Sequence, residues 1–302
     1  MNDFDCLGFG ICAADYLCLT SRYPVLDEKT ETVDFSYQGG GPVATALVTL
    51  ARLGFRGSFI GKVGVDADGR FVRQQLLSEG VDTTGMIVDE QMSTNQAFIW
   101  IDQASGKKAI VLNNKNYRPA RFADIFLTFV NSLKYLHIDG RDETTALELI
   151  EWARSKNAKI VLDAGSPRKQ IELMLKRVDY PVVSQTFCHS FLGTNNYEAA
   201  VKKLLAYGAR AAVITCGEQG CFGAAEDRVY HQPAFPVEIV DTTGAGDVFH
   251  GAFIAGLLKK WNLPKILRFA SACAAIKCTQ LGGRKGIPNF SQVTEFLHKY
   301  QR

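Results

Sequence analysis

The apolar runs in the first forty residues lack the spacing of a helix. Cys6-Leu-Gly-Phe-Gly-Ile-Cys12 reads as a strand that leads into Ala13-Ala-Asp15. Tyr16 to Arg22 is aromatic and aliphatic without helical period, and Pro24 closes it. Thr30 to Tyr37 then alternates Thr, Val, Phe and Tyr against polar residues, as a half-exposed strand does. The first helical pattern follows Gly39-Gly-Gly-Pro42, with Pro in the first turn, apolar residues at Val43, Leu47, Leu50, Ala51 and Leu53, and a stop at Gly54.

From there strand and helix patterns alternate. Strands are predicted at Gly57 to Val63, Tyr135 to Ile138, Lys159 to Asp163, Tyr180 to Ser184 and Ala211 to Thr215. Helices are predicted at Asp68 to Glu79 and at about Thr144 to Ser155, Gln170 to Lys176 and Tyr197 to Tyr207. Such alternation predicts an α/β fold with a doubly wound, mainly parallel sheet, and no linker or repeat divides residues 1–302 into more than one domain. Two β-rich pieces, about 14–38 and 93–114, break the rhythm. The second holds extended runs at Asn95 to Ile101 and Lys108 to Leu112, joined by the turn residues Ala104-Ser-Gly106. Together they are expected to form a small sheet that covers a substrate site as a lid or pairs with a second subunit, and the open edge of such a sheet predicts a homodimer.

Composition narrows the function classes. With 47% hydrophobic and 22% charged residues the chain is globular, and 34 basic against 31 acidic residues give a net charge of +3, too little and too evenly spread for nucleic acid. The acidic N-terminus and the short apolar run Val248 to Leu258, interrupted by His250, fit neither a signal peptide nor a membrane span of about 18 residues. A cytoplasmic location is expected. Eight Cys and five His stand singly, without metal-ligand spacing, so the thiols are read as small core hydrophobes.

The chemistry concentrates in Asp241-Thr-Thr-Gly-Ala-Gly-Asp247, which opens an apolar helix. Gly244, Ala245 and Gly246 let backbone N–H groups approach an anion, and a helix N-terminus adds partial positive charge. Asp247 would set a carboxylate beside that anion, which a transferring phosphoryl group and a hydroxyl nucleophile would explain; an acidic residue favoured in a first helical turn is the plainer alternative. No Gly-Lys-Ser/Thr follows, so this is not a Walker A loop. Thr215-Cys-Gly-Glu-Gln-Gly220 after an apolar strand could admit a nucleotide or be a simple turn, and Gly39 to Gly41 could leave room for a small substrate or serve a tight turn. Gly8-x-Gly10-x-x-Ala13 has the outline of a dinucleotide fingerprint, with Asp27 and Glu28 downstream, but it opens no helix, which argues against an oxidoreductase.

These residues resemble the ribokinase (PfkB) sugar kinases over nearly the whole chain. DTTGAGD at 241 to 247 resembles that family's C-terminal signature and GGGPVATALVTLARLG at 39 to 54 its N-terminal one. The resemblance implies a ribokinase-like fold with a β-sheet lid. By the same resemblance Asp247 is the catalytic base, Gly244, Ala245 and Gly246 form the anion hole, Asp15, Gly39, Gly40 and Gly41 contact the sugar, and Thr215, Gly217 and Gly220 form the ATP turn. ATP and Mg2+ are the implied cofactors, and K+ is a further candidate. Three positions in two motifs depart from the pattern: Thr45 replaces an Asn, and Ser184 and Phe187 stand where an Asn and a Glu near the metal are usual, which leaves the metal ligands unassigned.

Within the family the chain resembles the 6-deoxy-6-sulfofructose kinases, through GGGPVATA at 39 to 46, HQPAFPVEIVDTTGAGDVFHGA at 231 to 252 and RFASACAAIKCTQLGGRKGIP at 268 to 288. That similarity implies that Lys29 and Arg141 hold a sulfonate, with Asn113 or Asn114 beside them; ketohexokinases also carry an Arg at the place of Arg141, and an exposed Lys or Arg can be an ordinary surface charge. The expected activity is ATP-dependent phosphorylation of a primary hydroxyl on a small keto sugar, sulfofructose giving its 1-phosphate. Fructokinase or ketohexokinase activity is the alternative, and a non-catalytic sugar sensor a third reading that Asp247 and its glycines argue against.

Overall fold

In the computed structural model, which describes residues 2–300, thirteen strands and nine α-helices follow one another in an order set by the hydrophobic pattern. The chain runs β1 (Asn2–Phe9), β2 (Ala13–Thr20), β3 (Asp34–Gly40), α1 (Pro42–Arg52), β4 (Gly57–Gly64), α2 (Ala67–Ser78), β5 (Met86–Asp89), β6 (Asn95–Asp102) and β7 (Lys108–Asn113). It continues through β8 (Val130–Ile138), α3 (Glu143–Ser155), β9 (Lys159–Ala164), α4 (Ile171–Leu175), β10 (Tyr180–Ser184), the short α5 (Gln185–Phe187) and α6 (Tyr197–Leu205). The last part comprises β11 (Ala211–Thr215), β12 (Cys221–Ala225), β13 (Arg228–Gln232), α7 (Ala245–Leu258), α8 (Leu263–Cys278) and α9 (Phe290–Lys299).

Nine strands form one sheet in the order β13-β12-β11-β10-β9-β8-β1-β4-β5, parallel except for β12 and β13. Strands buried on both faces read as unbroken apolar runs, and the two-residue period then splits them between two cores. In β9, Ile160 and Leu162 pack with Leu149, Ile150 and Met174 on one face, whereas Val161 packs with Val248, Phe253 and Val43 on the other. The expected doubly wound α/β class is the observed one. Because β1 has β4 on one side and β8 on the other, the chain reverses its direction of winding there, and in open α/β sheets such a point, beyond the carboxyl ends of the strands, is where ligands bind.

Four strands form a second, smaller sheet in the order β3-β2-β6-β7. Its inner face carries Leu17, Leu19, Ala97, Ile99 and Ile101, which close on Leu281 and Val240. On its outer face Phe35 and Val111 are more than half exposed. The small sheet expected from the β-rich pieces is therefore present, with one shift. The strand expected from Thr30 begins at Asp34 and runs through Gly39 and Gly40, because both glycines pair with β2, at Ala14 and Ala13. The expected turn residues Ala104 to Gly106 do join β6 to β7, with Gly106 at φ 63°.

All eight Cys are free thiols, seven of them buried, in keeping with a packing role. Ala13 opens a strand, not a helix, so the dinucleotide outline is without its structural context. Among the described residues no helix is long and apolar enough to cross a membrane.

Candidate active site

Asp15 projects from β2 on the inner face of the small sheet, in register with Gln38 on β3 and Ala97 on β6. It is buried, and no described residue donates a hydrogen bond to its carboxylate. Burial pushes its pKa up to about 7; the Arg284 guanidinium works against that shift, and Asp247 and Asp241 add to it.

The three glycines beside it are each required for a different reason. A Cβ on Gly40 would lie inside the Asp15 carboxylate, one on Gly39 would meet Arg284 Nη1, and Gly41 turns at φ 97° against the Ile11 carbonyl. Arg284 is 3% exposed and holds this corner from behind: its Nη2 donates to Gly40 O at 3.1 Å, its Nε lies 3.4 Å from Thr45 Oγ1, and its backbone N–H donates to Gln38 Oε1 at 3.1 Å. Nη1 is buried without a partner among the described residues. Thr45, where the family pattern has Asn, thus faces a buried guanidinium. No spacing rule pointed to Arg284, since the loop that carries it meets β3 only through the fold.

The second half of the site is the start of α7. Gly244 is its N-cap at φ 74°, and a Cβ there would come 2.9 Å from Gly283 Cα. The Gly246 and Asp247 N–H groups find no acceptor in the described chain, and nothing stands within 4 Å of the place a Gly246 Cβ would take. This is an open anion cradle at the positive end of a helix. The half-buried Asp247 beside it has its pKa pushed up to about 6 by burial and by Asp163, while His250, Lys108 and Lys277 pull it down.

His250 sits one turn below. Its Nδ1 is 2.7 Å from Gly246 O, and its Nε2 is 3.2 Å from Val182 O and 3.6 Å from Asp163 Oδ1. The ring stacks on His137 at 5.6 Å, whose pKa burial pushes down to about 3. Lys108, the first residue of β7, donates to Thr242 Oγ1 at 3.3 Å, so the small sheet touches the cradle loop directly. Neither His250 nor Lys108 was marked by sequence spacing.

At the end of β8, Asp139 accepts from the Ile11 N–H at 2.9 Å and the Arg141 N–H at 3.0 Å, and burial pushes it up to about 6. Gly10 makes room for it, since a Cβ would lie 2.5 Å from Asp139 Oδ2. The Arg141 side chain is half-buried, and Lys29 is exposed in the connection between β2 and β3. Asn113 takes a different place from the one expected. Leu112 shares the face of Asp15, whereas Asn113 points to the opposite face and donates to Gln96 Oε1 at 2.8 Å. No hydrogen bond or ion pair joins Lys29, Asn113 and Arg141 to one another.

Thr215 ends β11, and Gly217 and Gly220 turn at φ 56° and 84°, closed by the Cys216 N–H on Gly220 O at 2.8 Å. A cleft of about 530 Å³ opens beside this turn, lined by Asn195, Asn196, Tyr197, Glu198, Gln219 and Phe222. Ser184 caps α5 by accepting the Phe187 N–H at 3.1 Å, and Phe187 is fully buried. Among the described residues no cluster of three or more Cys, His, Asp or Glu gathers to hold a metal.

Comparison with known proteins gives the family. The family model for pfkB family carbohydrate kinases matches residues 4–289. The chain belongs to the pfkB family of carbohydrate kinases. This kinase is 28% identical over 298 residues to the ribokinase of Bacillus subtilis, covering 95% of this chain and 97% of that one. It is 28% identical over 291 residues to fructokinase-1 of Zea mays, covering 86% and 88%. The structure of Arabidopsis thaliana ribokinase complexed with ribose and ATP shares the fold, with a TM-score of 0.80, 20% identity and coverage of 98% of this chain and 99% of that one.

The electrostatics of Asp15 give a stability prediction. A carboxyl that holds its proton more tightly in the folded than in the unfolded chain makes the folded state take up a proton first on acidification. The free kinase should therefore gain stability from this group as pH falls from above about 7 toward the ordinary carboxyl range near 4. Asp15→Asn is expected to raise the melting temperature at about pH 8 by several degrees and to flatten its pH dependence, while losing sugar turnover. Calorimetry of the two proteins between pH 5 and 8 checks this, and a destabilised Asn variant at pH 8 would refute it.

Proposed function

We propose that this kinase transfers the γ-phosphoryl group of ATP to the primary C1 hydroxyl of a small keto sugar, with 6-deoxy-6-sulfofructose the favoured acceptor. The observation that carries the transfer is the Asp247 carboxylate set beside two acceptor-free N–H groups at the head of α7, within the electrostatic reach of Asp15. Asp15 and the edge formed by Gly39, Gly40 and Gly41 orient the sugar hydroxyls; Asp247 accepts the proton of the attacking hydroxyl. Gly244, Ala245 and Gly246 border the phosphoryl oxygens, which the Gly246 and Asp247 N–H groups receive because the Ala245 N–H is already donated to Thr242 O at 3.3 Å, and Thr215, Gly217 and Gly220 border the nucleotide.

Among the described residues no ligand cluster gathers for Mg2+, and that fits an ion that arrives on the nucleotide phosphates and keeps most of its waters. Bound there, Mg2+ supplies charge neutralisation on the phosphates. Ser184 is engaged in a helix cap and Phe187 is a core residue without a ligating atom, so no carboxylate stands at that place to hold it.

The sulfonate reading rests on the resemblance to the sulfofructose kinases and on two cations, Lys29 and Arg141, that form no ion pair among the described residues. A fructokinase or ketohexokinase is the second reading, favoured by the identity to the maize fructokinase. The two separate on mutation. Hydrogen bonds to a charged group are worth about 1.5 to 3 kcal/mol, so Lys29→Ala or Arg141→Ala should raise KM for the sulfonated sugar by roughly ten- to a hundredfold and change fructose little. Steady-state kinetics on both sugars decides it. Equal losses on the two, or a wild-type preference for fructose, would end the sulfonate assignment and leave the kinase.

A further inference from the structure

The cradle loop rests on a buried charge. Lys277, in the last turn of α8, and Asp241, the first residue of the loop, are both fully buried. Lys277 Nζ donates to Asp241 O at 2.7 Å and lies 4.0 Å from Asp241 Oδ2. The Asp241 carboxylate accepts the Thr243 N–H at 2.7 Å on one oxygen and the Gly282 N–H at 2.8 Å on the other. The loop before α7 and the loop after α8 are thereby tied through one carboxylate, with the ammonium beneath the tie.

An ammonium taken out of water is costly, and an apolar side chain would fill the same volume more cheaply. Mere packing therefore does not explain Lys277. Its hydrogens exceed the one hydrogen bond it makes among the described residues, and its charge reaches the base: it is among the groups that favour the ionised form of Asp247. Asp241, Cys278, Lys108 and Asp247 are the titratable groups that act on it in turn. A monovalent ion such as K+ is bound by carbonyl and carboxylate oxygens. At the foot of this cradle, the Asp241 carbonyl and the space beside its carboxylate are already taken by an ammonium of the chain itself.

We propose that Lys277 is a positioning residue that supplies, from within the chain, the positive charge that a bound monovalent cation would otherwise supply beneath the phosphoryl cradle, so that this kinase works without added K+ or NH4+. The proposal rests on the kinase reading of the cradle. As negative charge gathers on the transferring phosphoryl group, the fixed ammonium holds the Asp241 loop, and with it the Gly246 and Asp247 N–H groups, in the receiving geometry.

The test has one arm that needs activity and one that does not. Wild-type protein, assayed and melted in tetramethylammonium buffer, should change less than about twofold in turnover and about 1 °C in melting temperature when about 100 mM K+ or NH4+ is added. Lys277→Ala opens an oxygen-lined cavity: kcat should fall about a hundredfold, with sugar KM moved less, and K+ or NH4+ should restore at least about tenfold in kcat and raise the melting temperature by several degrees. If that variant gives no cooperative melt, Lys277→Gln, one atom shorter and uncharged, keeps an N–H donor on the side of Asp241 O and should lose kcat about as strongly. Activation or stabilisation of the wild type by K+, or a folded Lys277→Ala that no cation affects, would overturn the proposal. Failure to phosphorylate any sugar would count against the kinase reading instead, and the melting arm would still decide the role of Lys277.

Discussion

Asp247→Asn is expected to bind sugar and nucleotide nearly as the wild type does and to lose about 10²- to 10⁴-fold in kcat. The amide matches the carboxylate in size, stays in the first turn of α7 and leaves the Gly246 N–H and its own N–H in place, but it cannot take the proton of the attacking hydroxyl. Because the carboxyl titrates at about 6 in the free protein, wild-type turnover should fall as pH drops through that value, and the residual rate of the variant should not follow the same limb. Single-turnover kinetics from pH 5 to 8, with ligand binding measured by calorimetry, tests all three statements. More than about a tenth of wild-type kcat in the variant would remove Asp247 from the role of base.

The second large effect is expected at Gly40. A Cβ at this position would lie within the carboxylate of Asp15, a short side chain with no described hydrogen-bond partner to anchor it elsewhere. Gly40→Ala should therefore displace Asp15 from the sugar and raise KM for the sugar by roughly ten- to a hundredfold, with a smaller change in kcat and in nucleotide affinity. Because φ is positive at Gly41 and not at Gly40, the backbone of β3 accepts Ala and the fold should survive. An unchanged KM would show that Asp15 does not touch the sugar. Loss of cooperative unfolding would show instead that the β2–β3 pairing cannot accommodate the methyl group.

How far the sequence reveals this molecule differs between its parts. The central strands were legible because burial on both faces turns β9, β10 and β11 into continuous apolar runs. The cradle was legible because small residues directly before an apolar helix have few other uses. By contrast, β12 and β13 are only five residues each, β12 is built largely of small residues and β13 is half-exposed, so their pattern is weak, and β5 is only four residues long. The residues that support the site were hidden for another reason. Arg284 meets Gly40 across 244 positions and Lys277 meets Asp241 across 36, and no local period encodes such contacts. Both are buried charges, which composition would place at the surface, and only the fold shows what they neutralise. Asn113 illustrates the limit of spacing arguments within a strand, where one residue along β7 is the difference between the face of Asp15 and the face that binds Gln96.

The central claim is that the two halves of the site, Asp15 with its glycines and Asp247 with its cradle, act on one sugar. The direct measurement is ADP release by the purified protein, with ATP and Mg2+, across sulfofructose, fructose, ribose, fructose phosphates and nucleosides, with the product mapped by phosphorus NMR. The account predicts turnover of a keto sugar, highest for sulfofructose, with the new phosphate on its primary C1 oxygen. Turnover of nucleosides or ribose alone, or no ADP release above the ATP-only control with any acceptor, would contradict it.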